Sequence, residues 1–109
     1  MSTKPFSPLS EQDNTVRALL ALVTQFPDLP TASFQVNPYI PELTINVHND
    51  PAGFEQWRES LGLDPQTSTE KDYRTFYAVE VPGEFAGVGV ELVGYMPIPI
   101  EHDAPAAAA

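Results

Sequence analysis

Strict alternation of oily and polar residues is the feature of this sequence that most limits its fold. In "TASFQVN", Ala32, Phe34 and Val36 alternate with Ser33, Gln35 and Asn37. In "LTINVHN", Leu43, Ile45 and Val47 alternate with Thr44, Asn46 and His48. Successive side chains of an extended chain point to opposite faces, so a period of two sorts each segment into one oily and one polar side. Strands of this kind belong to a sheet covered on one face and open on the other, a habit of antiparallel sheets. The proline-rich link "PYIPE" joins the two segments as a hairpin with a longer loop.

Two other stretches follow the helical period. Ser10, with Glu11 and Asp13 behind it, suits a helix start: its oxygen can accept from an exposed amide, and the acids suit the positive end. Apolar residues then recur at Val16, Leu19, Leu20, Val23 and Phe26. Pro27 closes this helix, because the residue before a proline avoids helical backbone. In "NDPAGFEQWRESLGLD", Asp50 is placed to cap, Pro51 fits the first turn and Gly62 fits the left-handed stop. Phe54, Trp57 and Leu61 share one face of this second helix. Glu55 and Glu59 lie elsewhere on the cylinder, as a solvated face with Arg58 near enough to pair.

"YRTFYAVEV" and "FAGVGVELVGY" predict a second hairpin around "PGE". A turn centred on Gly83 sets Tyr77 opposite Gly89 and Val79 opposite Gly87, so the glycines seat neighbouring side chains or let the sheet bend. Phe76, Ala78, Ala86, Val88, Val90 and Leu92 then line the core side. Tyr73, Thr75, Tyr77, Val79, Glu91, Val93 and Tyr95 line the other, with Thr44, Asn46 and His48. The predicted fold is α+β in the order α-β-β-α-β-β, a four-stranded, mostly antiparallel sheet with two helices on one face. Residues 10–96 make a single domain, residues 1–9 a flexible lead and residues 97–109 a Pro/Ala-rich tail, largely disordered. The expected core is Val16, Leu19, Leu20, Val23, Phe34, Val36, Leu43, Ile45, Val47, Phe54, Trp57, Leu61, Phe76, Val88, Val90 and Leu92.

The chemistry open to the chain is narrow. Its 109 residues suit one core, and 42% hydrophobic content is too much for a disordered chain. There is no cysteine, so disulfides, thiolate metal sites and a cysteine nucleophile are excluded. Gly87, Gly89 and Gly94 do not have the spacing of a dinucleotide loop, and no helix is predicted after them. His48 and His102 make a poor metal pair, no serine sits in a nucleophile elbow, and Asp64, Glu70 and Asp72 lack the spacing of a calcium loop. No cofactor is expected. Fifteen acids face five bases, for a formal charge of −10. The excess is uneven: four acids to two bases in residues 1–49, eleven to three in residues 50–109. Such a surface repels phosphate backbones, so no nucleic-acid partner is expected. No apolar run is long enough to span a membrane, and "MSTKPFSPLSEQD" does not read as a secretory signal, which suggests a cytoplasmic protein.

The most distinctive signature is "LTINVHNDPAGFEQWRESLGLDP" followed by a strand pair ending "VELVGY". Over roughly residues 30–96 it resembles a family of small uncharacterised proteins of actinobacteria and their mobile elements. The resemblance implies a source and no activity, and carries over no functional residue. On the residues alone, the leading expectation is a non-catalytic interaction module that contacts a protein, or a second copy in a homodimer. Its contact surface is an edge strand or the open sheet face, through Tyr73, Thr75, Tyr77, Glu91, Tyr95 and His48, since tyrosine combines apolar area with a polar tip. One alternative is an acidic inhibitor or decoy of a nucleic-acid-binding protein. Another is a small enzyme of unknown reaction.

Overall fold

The computed structural model describes residues 8–97. A short 3-10 turn, Leu9–Gln12, leads into helix α1, Asp13–Gln25. Strands β1 (Ser33–Val36) and β2 (Glu42–His48) follow, then helix α2 (Pro51–Ser60) and a second 3-10 turn, Pro65–Thr67. Strands β3 (Thr69–Asp72), β4 (Phe76–Phe85) and β5 (Val88–Pro97) complete the order. Of the lead expected over residues 1–9, Leu9 already belongs to the 3-10 turn, and of the tail expected over residues 97–109, Pro97 ends β5; residues 1–7 and 98–109, His102 among them, lie outside the described residues.

The fold is α+β, but the sheet has five strands, in the order β1-β2-β5-β4-β3. β1–β2, β3–β4 and β4–β5 pair antiparallel, while β2 and β5 pair in parallel at the centre, from Glu42↔Gly89 to His48↔Tyr95. The sheet is therefore mixed. The extra strand, β3, reads "TEKD" and is exposed at every residue. With no oily side it gave no period to read. Charged residues on so short an edge also discourage pairing with another chain.

Both helices cover the same face. Ala18 and Leu22 of α1 and Phe54 and Trp57 of α2 share one cluster with Leu43, Ile45, Val47, Val81, Val88, Val90, Leu92 and Met96 of the sheet. α2 is fixed at both ends as its sequence predicts. The Asp50 carboxylate accepts from the Gly53 amide at 2.9 Å, Pro51 opens the helix, and Gly62 stops it at a φ of 68°. Trp57 is a core anchor whose Nε1 donates to the Pro30 carbonyl at 2.9 Å. Arg58 pairs with Glu55 and donates to the Leu63 carbonyl, tying the helix to the chain beyond it.

α1 departs from expectation. No side chain caps its start, so Ser10 does not play that role. Its buried residues are Thr15, Ala18 and Leu22, with Leu19 and Phe26 partly covered. Val16, Leu20 and Val23, expected in the core, are exposed. They form a second apolar arc, about a third of a turn from the first. Thr15 and Ala18 are small, and they let the helix backbone sit close to the sheet where bulkier residues would hold it away.

The β4–β5 hairpin turns at Ala86 and Gly87, not at Gly83. Both turn residues have positive φ, 54° and 80°, as the tight turn favoured by twisted hairpins requires. β4 runs straight through Pro82 and Gly83, past the end of the β3 pairing at Thr69↔Glu80. Pro82 therefore lies along a free edge, where a missing amide leaves no β3 partner unsatisfied. Moving the turn changes the register to Phe76↔Pro97, Tyr77↔Met96 and Val79↔Gly94. The shift is odd, so it exchanges the two faces of β4 while leaving β5 as predicted. Tyr77 and Val79 pack on the core side with Val81 and Phe85, and Phe76 moves to the open side. Gly94 is a seat, though for a helix residue: a Cβ there would lie 2.5 Å from the Phe54 ring.

Candidate functional site

The uncovered face can be laid out as a grid from the strand registers. Asn46, Val93, Glu80 and Thr69 form one row across β2, β5, β4 and β3, with Ser33 of β1 at its end. Thr44, Glu91 and Pro82 form the row on one side of it; His48, Tyr95, Ala78 and Lys71 form the row on the other. Beyond Thr44 come Glu42, Gly89 and Glu84, and beyond Tyr95 come Pro97 and Phe76.

This arrangement divides the face by chemistry. At one end four rings run across the strands. His48 stacks on Tyr95, with centroids 4.7 Å apart and planes within 8°. Phe76 lies 6.0 Å from Tyr95 at a tilt, and Tyr73 stacks on Phe76 at 4.6 Å. At the other end stand Glu42, Glu84 and Glu91, with Glu80 in the row between; Lys71 is the cation on this face, and it reaches Glu80 at 3.4 Å. Partial burial, with the Glu80 and Glu42 carboxylates close by, raises Glu91 above the usual carboxylate range. Between the two ends Asn46 and Val93 are buried.

Of the residues read from sequence as a contact surface, Tyr95, Glu91 and His48 lie on this face. Tyr73 and Thr75 lie in the exposed β3–β4 turn at its rim, where the Tyr73 amide donates to the Phe76 carbonyl. Tyr77 does not belong to it, because the shifted register carries its ring to the helix side. Phe76 is the ring that sequence reasoning missed. Its signal is the Ala86–Gly87 pair, which fixes the parity of β4 once recognised as the turn.

Asn46 is the unusual polar group. It is 7% exposed, and its Oδ1 has no hydrogen-bond partner. Its Nδ2 makes one long contact, 3.4 Å, to Gln35 Oε1. Asn46 also lines a cleft of about 260 Å³ with Thr31, Ala32, Ser33 and His48, at the β1 side of the ring row. A second, apolar hollow of about 230 Å³ lies on the helix side, between the end of α1 and Trp57, with Val23, Phe26 and Phe34 on its walls.

Among the described residues no three metal-binding side chains gather, and no helix is long and apolar enough to cross a membrane. Comparison with known proteins finds no matching family model and no matching curated protein.

Proposed function

We propose that the chain is a non-catalytic interaction module that engages a protein partner through the open sheet face. The row of rings His48–Tyr95–Phe76–Tyr73 carries this reading. Aromatic side chains present large, rigid contact area at little entropic cost, and they concentrate at the centres of protein interfaces. Here three of the four stand on strands, a firmer platform than a loop, with Tyr73 on the turn beside them, and no element of the described fold covers them. Replacing Tyr95 and Phe76 by serine should abolish capture of the partner from the native host, while circular dichroism stays that of the wild type. Unchanged capture by the folded double variant would refute the reading.

The carboxylates at the other end of the face favour a second reading, an acidic inhibitor or decoy that occupies a basic protein in place of nucleic acid. It predicts binding that weakens steeply with salt and with neutralisation of Glu80, Glu84 and Glu91, but little with loss of the rings.

A further inference from the structure

We infer that the open face recognises a basic partner protein, and that the cleft of Thr31, Ser33, Asn46 and His48 receives one of its arginine side chains. This deepens the interaction role proposed above and rests on it.

Three observations converge. The first is the orphaned Asn46 Oδ1, a buried acceptor that calls for an N–H or O–H donor. The second is the net charge of the face as a whole. Glu42, Glu80, Glu84 and Glu91 stand on the same face against one lysine, so a donor that also carries positive charge is favoured over a neutral one. The third is the wall of the cleft. The His48 imidazole lines it, and stacking on Tyr95 holds that ring in place. A guanidinium is planar, stacks on rings and presents several donors in a fixed fork; an ammonium does neither as well. One N–H would go to Asn46 Oδ1, and the hydroxyls of Ser33 and Thr31 could accept others. The oxygen is covered in the unbound structure, so the Asn46 amide must turn to meet a donor; its Nδ2 is held only by a 3.4 Å contact to Gln35 Oε1, a bond long enough to yield.

The same charges decide against a second copy as the occupant. A two-fold interface sets each patch against itself. Two such faces in contact would press eight carboxylates together, at a cost that a basic partner avoids.

The test uses hexa-arginine and hexa-lysine amides as probes, titrated calorimetrically into the full chain at 150 mM salt, a concentration at which purely diffuse attraction is largely screened (~8 Å Debye length). Wild type should bind hexa-arginine more tightly than hexa-lysine. Asn46→Leu, which keeps the branched outline and removes the acceptor, should weaken hexa-arginine about tenfold, the worth of one charge-assisted hydrogen bond, and leave hexa-lysine unchanged. Should Asn46→Leu fail to fold, His48→Leu tests the stacking wall and should weaken hexa-arginine selectively. Equal affinity for the two peptides in wild type, or selective variants without effect on hexa-arginine, overturns the inference. That outcome leaves the interaction role standing if the Tyr95 and Phe76 variants still lose the native partner. Persistent capture by those variants removes the role itself, whatever the peptides do.

Discussion

The two faces of the sheet are built from the same strands and both carry apolar residues, yet they differ in kind. On the covered face β2 and β5 contribute Leu43, Ile45, Val47, Val88, Val90 and Leu92, aliphatic residues closed over by Ala18, Leu22, Phe54 and Trp57. On the open face the large apolar side chains at the surface are rings, three of the four bearing a polar atom, set beside the small, buried Ala78 and Val93 and a mixture of polar and charged residues. Oily content alone therefore does not say which side of a sheet is the core. What separates the sides is whether a residue can keep one end in water, as tyrosine and histidine can and leucine cannot.

That contrast can be broken at matched positions on β5. The largest effect is expected at Leu92, fully buried in the central strand. Leu92→Ala should cost about 2–5 kcal/mol in urea denaturation, whereas Tyr95→Ser should cost about 1 kcal/mol or less, a cross-strand ring contact. Comparable losses would make the open face a second core. Next come the glycines. Gly94→Ala should destabilise by about 1–3 kcal/mol, because the added methyl meets the Phe54 ring. Gly89→Ala on the open face should stay within about 0.5 kcal/mol, since its nearest neighbour, the Pro41 carbonyl, is at an ordinary 3.6 Å.

The smallest effect concerns pH. Glu91 holds its proton more tightly folded than unfolded, through partial burial and the Glu80 and Glu42 charges. The folded state thus binds more protons, and this residue's ionisation costs stability once the pH rises above the ordinary carboxylate range. Glu91→Gln should raise the unfolding free energy slightly at neutral pH, by about 0.5 kcal/mol or less for so accessible a group. The gain should vanish as the pH falls below that range. A variant less stable than wild type at pH 7 would show that the carboxylate is held by favourable contacts instead.

The legible parts of the fold are those whose residues leave no choice. β2 and β5 alternate cleanly, and α2 carries a cap, an opening proline and a stop glycine at the right spacing. β4 offered two solutions, since Phe76 and Ala78 on one side and Tyr77, Val79 and Val81 on the other are both apolar. "PGE" is the stronger turn signal on its own, and only the packing of Leu63 against Gly83 shows why the strand passes through it. Alanine at positive φ leaves no trace in composition at all. In α1 the greasier arc, Val16, Leu20 and Val23, lost to a thinner one, because closeness to the sheet counted for more than oiliness. Tyr95, His48 and Glu91 of the candidate surface could be read from period two. Asn46 could be placed on it, but its missing partner could not, because Gln35 meets it from another strand.

The parallel pairing of β2 with β5 has a consequence for assembly. β1–β2 and β4–β5 are local hairpins that can close early, since little chain need be looped to bring their strands together. Joining them requires the whole segment carrying α2 and β3 to be gathered in first. His48 arrives with one hairpin and Tyr95 with the other. Their stack can form only at that seam, whereas Phe76 and Tyr95 already meet within the β4–β5 hairpin, so the row of rings is completed, not begun, where the two hairpins join.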